Sequence, residues 1–394
     1  MATPKLRFKE FEGDWSTNKI EEISIVTSGG TPSRNVSDYW NGDIPWVTTS
    51  LVDFNVINQA EEFITQVGLD NSSAKLFPKD TILMAMYGQG ITRGKVAILG
   101  IDATTNQACA AIKLKNGFET KFIFQNLMNR YEEIRDLSNE GGQKNLSAGI
   151  IKEILISFPE KEEQTKIASF LSAVDEKISQ LTQKHELLSQ YKQGMMQKLF
   201  SQQIRFKADD GSEFGEWESD KINNIFTNKS KSFNPLLNEN LPCIELEHLS
   251  QSTGQILGTI DSSGQQSTKN VFEVNSVLFG KLRPYLRKFA QPKFKGVCSS
   301  EIWVLTGIKI SNQYLFQYIQ SEQFSELTNI QSGSKMPRAD WGVISDADIE
   351  YPCLEEQTKI ANFLSTIDQK IEVVAQQIEQ AKTWKKGLLQ QMFV

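Results

Sequence analysis

Residues 277–300, VLFGKLRPYLRKFAQPKFKGVCSS, carry Lys281, Arg283, Arg287, Lys288, Lys293 and Lys295 with no acid, and Tyr285, Phe289 and Phe294 lie between them. Cations so placed can neutralise phosphates, and arginine can hydrogen-bond the edges of nucleic-acid bases. The same composition also suits a solvated edge strand that Lys and Arg protect from pairing. Taken alone, the strip leaves both readings open. Earlier in the chain, GGTPSR (29–34) and YGQGITRGK (87–95) are glycine-rich loops carrying Arg34, Gln89, Arg93 and Lys95. Glycine lets a ligand approach the backbone, and these side chains are donors; each loop singly is equally a plain turn. GGQKN (141–145) and GSKMPR (333–338), the latter with Lys335 and Arg338, are small cationic loops at corresponding places in the two halves.

Catalytic raw material is scarce. The sequence has no GxxxxGK[ST] phosphate loop, no GxSxG and no HExxH. It also lacks an Asp/Asn-Pro-Pro-aromatic tetrapeptide of the amino-methyltransferase kind. Its two histidines, His185 and His248, leave little for triad or metal chemistry. Acidic residues are scattered without metal-ligand spacing. Cys109, Cys243, Cys298 and Cys353 lie far apart with no CxxC pair, as expected of reduced thiols in a cytoplasm. The opening residues show no secretory pattern, and no apolar run approaches the ~20 residues of a membrane span. These features point to a binding and scaffolding protein, not an enzyme. The net charge of −6 argues mildly against nucleic acid, but whole-chain charge says little about a chain whose charges are segregated.

The elements that must position these loops are legible from an internal repeat. Residues 162–171, EEQTKIASFL, return as 355–364, EEQTKIANFL, and the match runs without a gap from 156–201 onto 349–394. The openings repeat as well, with RFKEFEGDW at 7–15 and RFKADDGSEFGEW at 205–217. Two copies this far apart are a duplication, since a solenoid needs three or more short units. In the first copy, Ile167, Leu171, Val174, Ile178, Leu181, His185, Leu188, Lys192, Met195 and Leu199 fall at alternating gaps of four and three. Ile360, Leu364, Ile367, Ile371, Val374, Ile378, Ala381, Lys385, Leu388 and Met392 repeat that spacing in the second. This is a heptad seam of about four turns of the repeat. Pro159 and Pro352 precede the two runs, and Glu162/Glu163 and Glu355/Glu356 suit the first helical turn. A single such helix is most simply an amphipathic core helix. Two near-copies, each after a large variable segment, predict a paired rod about 60 Å long, with polar His185, Lys192 and Lys385 fixing its register.

The variable segments read as mixed α/β. IPWVTT, DTILMAM and KVAIL are short strand-like runs, as are LPCIELEHL, VNSVLFG and EIWVL in the second half. GFETKFIFQNLMNRYEEIR and NQYLFQYIQSEQF read as helices. The expected organisation is a first variable domain at 1–156, a helix at 157–204, a second domain at 205–349 and a second helix at 350–394. The fold class is α+β: two mixed domains joined by two long helices in an antiparallel coiled coil, an internal repeat of pseudo-twofold character.

With those segments in view, the chain resembles the DNA-specificity subunits of Type I restriction–modification systems over its whole length. The resemblance rests on the paired P-x-x-EEQTKIAxFLSxxDxKI helices, on GGTPSR…YWNGDIPWVTTSLVD and on LFGKLRPYLRKF…FKGVCSSEIWVL. It implies that the two variable domains each read half of a split, asymmetric DNA site, and that the helices set the gap. It also implies two methyltransferase and two restriction subunits as partners, with S-adenosylmethionine, ATP and Mg²⁺ belonging to them and no cofactor in this chain. Duplicated helices then offer two equivalent surfaces to identical partners. The residues expected at DNA are Arg34, Gln89, Arg93 and Lys95 in the first domain, and Lys281, Arg283, Arg287, Lys335 and Arg338 in the second. Two other readings share much of this sequence. One is the specificity part of a Type IIB-like system with a fused nuclease–methylase partner; the other is a coiled-coil adaptor that does not touch DNA.

Overall fold

Three short apolar runs, ILMA, VAIL and CAAIKL, become neighbouring antiparallel strands at Ile82–Ala85, Val96–Leu99 and Cys109–Leu114. Side chains alternate across a strand, and here both faces are covered. Ile82, Met84, Val96 and Ile98 face one core, which includes Phe122, Ile123 and Leu127 of the helix Thr120–Asn129. Leu83, Ala85, Ala97 and Leu99 face another, with Val47, Val52 and Phe77. Burial on both faces explains why these strands read as continuous apolar runs.

The computed structural model describes residues 3–88, 91–137, 145–330 and 336–394. The chain forms two compact units: Met1–Leu181 with Gln377–Val394, and Thr182–Gln376. In the first, a five-stranded sheet runs in the order Ser24–Ser28, Cys109–Leu114, Ile82–Ala85, Val96–Leu99, Val56–Ile57. A three-stranded sheet orders Glu62–Ile64, Trp40–Val47 and Thr104–Thr105. In the second unit a four-stranded sheet orders Phe226–Thr227, Ile302–Gly307, Val277–Gly280 and Phe289–Ala290. This repeats the first four positions of the five-stranded sheet. Its two faces are again divided, Val277 and Phe279 into one core, Leu278 and Ala290 into the other. The companion sheet is larger here, with five short strands from Ser232–Phe233 to Ile260–Asp261.

The repeated helices span Lys161–Phe200 and Leu354–Met392. In the first unit the start of the first long helix packs with the end of the second: Ile167, Leu171 and Val174 share a core with Leu388, Leu389 and Met392. In the second unit Met196, Leu199 and Phe200 share a core with Ile360, Leu364 and Ile367. The pairing is therefore antiparallel. Leu181 and Val374 are buried as well, while Ile178 and Ile371 are partly buried against the same cores. An ion pair crosses the helices in each unit, Lys385 to Asp175 at 2.5 Å and Lys192 to Asp368 at 2.6 Å. These are the same two positions of the repeat with the helices exchanged.

The repeated phrases are two sides of one joint. Glu163 and Glu356, the second acid of each EEQ, have only 2% and 1% of their side chains exposed. Arg7 and Arg205, from the two RFK openings, each reach the buried carboxylate at 2.7 Å. The hydrogen bonds to Glu163 and Glu356 hold both guanidiniums above the ordinary arginine value. The glutamine of each phrase holds the turn before the helix: Gln164 donates to the Pro159 carbonyl and Gln357 to that of Pro352, each at 2.8 Å. Their side-chain oxygens accept from the backbone of Glu119 and Ser311. Beside each joint lies a matching two-stranded ribbon, Ser16–Lys19 with Leu155–Phe158 and Glu218–Lys221 with Asp348–Tyr351.

None of the four cysteines is in a disulfide. Burial pushes the Cys109 and Cys243 thiols up to about 11, and Cys298 higher still. These groups stay protonated and unreactive at neutral pH.

Candidate nucleic-acid interface

Each unit ends its central hairpin in one of the cationic loops. Residues 86–95 join Ile82–Ala85 to Val96–Leu99, and residues 281–288 join Val277–Gly280 to Phe289–Ala290. The glycine-rich loop of one half and the arginine strip of the other therefore occupy the same place in the fold. The runs that lead into them, LFPKDTILMAM (76–86) and VFEVNSVLFGK (271–281), resemble one another weakly, whereas the loops themselves share neither length nor motif.

In the second unit, Arg283 and Arg287 flank a tight turn at Pro284–Leu286 with φ of 52° and 49°. Left-handed backbone costs a non-glycine residue roughly 1–2 kcal/mol, so the loop must be held. The Arg287 and Leu286 amides close the turn onto Pro284 and Arg283 at 2.8 and 2.9 Å. Residues 337–339 lie antiparallel beside 281–283: the Arg283 amide donates to Pro337 and the Ala339 amide to Lys281. Lys281, Arg283 and Arg338 are thus brought together. Arg338 pairs with Glu301 at 3.1 Å. Arg283 is exposed, and among the described residues neither it nor Lys281 has a side-chain hydrogen bond or ion pair. Tyr285, on the turn between the arginines, is 56% exposed.

The rest of the basic strip is committed inside the unit. The Arg287 guanidinium donates to the Gln320 carbonyl. Lys288 donates to the Leu246 carbonyl at 2.6 Å, and Lys293 to Asn275 at 2.9 Å. Lys295 pairs with Glu273. Phe289 is 2% exposed, and Phe294 packs edge-on to Phe272. Six cations in a row on paper become one short presented cluster.

The first unit's loop is braced by the helix Tyr131–Asp136. Tyr131 donates to the Ile91 carbonyl, and Arg93 Nε to the Arg135 carbonyl at 3.1 Å. Gly94 has φ of 84°, and a Cβ there would sit 3.3 Å from the Arg135 backbone, so this position needs glycine twice over. Lys95 pairs with Asp53 at 2.5 Å and lies near the Phe54 ring. Arg34 belongs to another loop, beside the three-stranded sheet. Its guanidinium lies 3.7 Å over the Trp40 ring and 4.9 Å from Trp46, and pairs with Glu62. Both indoles donate back to that loop, Trp40 to Ser33 at 3.1 Å and Trp46 to Gly30 at 3.0 Å. The result is a half-exposed arginine on an aromatic shelf, a geometry that suits planar recognition. Gln89 and Lys335 lie outside the described residues.

Residues 12–190 and 215–383 both match the family model described as the Type I restriction modification DNA specificity domain. The chain belongs to this family. Each match takes in one variable segment and most of the long helix that follows it. The specificity subunit of the MjaIX Type I restriction enzyme from Methanocaldococcus jannaschii is 25% identical, covering 95% of this chain and 90% of that protein. The EcoR124I/EcoR124II specificity subunit of Escherichia coli is 30% identical over 45% of each chain. In fold, the chain is similar to the S subunit of a Type I restriction–modification system from M. genitalium, with a TM-score of 0.63 at 17% identity over 100% of this chain and 99% of that one. A specificity subunit is the non-catalytic member of its complex. Among the described residues no group of His, Cys, Asp and Glu could hold a metal ion, and no helix is long and apolar enough to cross a membrane.

Proposed function

We propose that this specificity subunit binds double-stranded DNA and reads a split, asymmetric site, one half with each recognition domain. The domains are residues 1–156 and 205–349, and the helices at 157–204 and 350–394 set the unspecified gap between the half-sites. One observation carries this reading: the sheet order, the Arg–Glu joint and the interhelical ion pair recur in both units, whereas the loops that cap the equivalent hairpins differ. A common frame with unlike reading loops suits unlike half-sites. The frame offers equivalent surfaces to two methyltransferase subunits, which would methylate adenines, with two restriction subunits joining for cleavage. S-adenosylmethionine, ATP and Mg²⁺ would be held by those partners. At DNA we place Arg34, Arg93 and Lys95 from the first domain and Lys281, Arg283 and Arg338 from the second, together with Gln89 and Lys335, which lie outside the described residues. Arg287 supports the second hairpin.

Seven residues add about 10 Å to a helix, the rise of about three base pairs. A heptad inserted into each long helix at the same step of the repeat preserves the seam. The methylated motif is expected to keep both half-sites and lengthen its gap by about two to three base pairs. An unchanged gap in a folded, active complex would remove the helices from the role of spacer.

A further inference from the structure

The two hairpins are supported by different parts of the chain. The first leans on the local helix Tyr131–Asp136. The second leans, through one residue, on a long helix. The Arg287 guanidinium donates to the Gln320 carbonyl, just beyond the end of the helix Asn312–Tyr318. The Gln320 side chain is itself fixed at both ends: its Nε2 donates to the Phe316 carbonyl at 2.7 Å, and its Oε1 accepts from Lys192 Nζ at 2.7 Å. Lys192 also meets Asp368 of the other long helix at 2.6 Å, and Asp368 accepts from Gln317 at 3.1 Å. Burial pushes the Lys192 ammonium below the ordinary lysine value against the pull of Asp368. A cation kept at such a position, with 12% of its side chain exposed, serves two partners at once. In the first unit the corresponding lysine, Lys385, pairs with Asp175 of the other long helix at 2.5 Å.

Resting on the reading that the second unit recognises one half-site, we propose that Lys192 is a positioning residue for that recognition. Through Gln320 it holds Arg287, and with it the left-handed turn that presents Arg283 and Tyr285. Its effect falls on the second half-site alone. A lysine that served only the helix seam would stabilise the whole protein and favour neither half-site.

The test uses the full chain in complex with its methyltransferase and duplexes bearing either the cognate site or one mismatch in either half. Arg283→Ala first marks which half-site the second unit reads. Lys192→Met keeps the aliphatic stem and removes the donor, and Asp368 retains Gln317 and solvent. Its discrimination against a mismatch is expected to fall about tenfold in the marked half-site and to stay unchanged in the other. Gln320→Ala is expected to do the same, Lys192→Arg to restore most of the loss, and Tyr131→Phe to loosen only the opposite half-site. Unchanged discrimination in Lys192→Met and Gln320→Ala, or an equal loss in both halves, overturns the proposal. A native complex that recognises no split site overturns the underlying reading instead.

Discussion

Charge reversal at Arg283 is expected to weaken binding to the cognate duplex by roughly 30- to 150-fold near physiological salt, while the complex still assembles. Arg283 is exposed, its side chain has no hydrogen-bond or ion-pair partner among the described residues, and its backbone is held in place by Pro337. A bidentate arginine–base contact is worth about 1–3 kcal/mol, and a reversed charge adds phosphate repulsion. The single substitution is preferred to one that includes Arg287, because Arg287 is tied to Gln320 and its reversal would disturb the loop itself. Lys293→Glu is the control, since Lys293 bonds within its own unit to Asn275; it should weaken binding only a few-fold. Gel-shift or fluorescence titration of the assembled complex measures both. Cognate affinity within about threefold of the native complex in Arg283→Glu would withdraw this arginine from the interface.

Arg205→Ala is expected to destabilise the second unit strongly. It leaves Glu356, with 1% of its side chain exposed, without its cation, although Trp217 Nε1 still donates to it at 3.2 Å. Removing one partner of a buried ion pair typically costs about 3–5 kcal/mol, and the remaining indole bond favours the lower end. For a unit of this size that lowers the melting temperature by about 6–12 °C. Arg205→Ala combined with Glu356→Leu should recover most of the loss, because the uncompensated charge is then gone. Arg7→Ala should behave alike through Glu163. A shift below about 2 °C for either single substitution would mean that the carboxylate finds solvent, and that the joint is not held by charge.

The long helices were legible because a heptad seam is a local pattern. Every spacing from Ile167 to Leu199 lies within one helical face, and proline and acidic residues mark where each helix starts. The joint was not legible, although both its halves are conspicuous repeats. Arg7 and Glu163 are 156 residues apart, and nothing within either phrase says that it meets the other. Within the repeated EEQTK, the second acid and the glutamine make their bonds inside the chain. The basic strip shows the converse limit. Linear charge cannot tell Arg283, which is exposed, from Lys288, which donates to a carbonyl 42 residues away, or Lys295, which pairs with an acid 22 residues away. The aromatic shelf under Arg34 was within reach of the sequence. Trp40 and Trp46 sit close behind GGTPSR, and an arginine near two tryptophans is a known pairing.

The most direct measurement is a methylation map of DNA modified by this chain co-expressed with its genomic methyltransferase, read by long-read sequencing. Two unlike recognition loops on one repeated frame should yield a single split motif, asymmetric in its halves, with a fixed gap and a methylated adenine in each half. A stable complex that yields a continuous motif, a palindrome or no motif would contradict the assignment of one half-site to each unit.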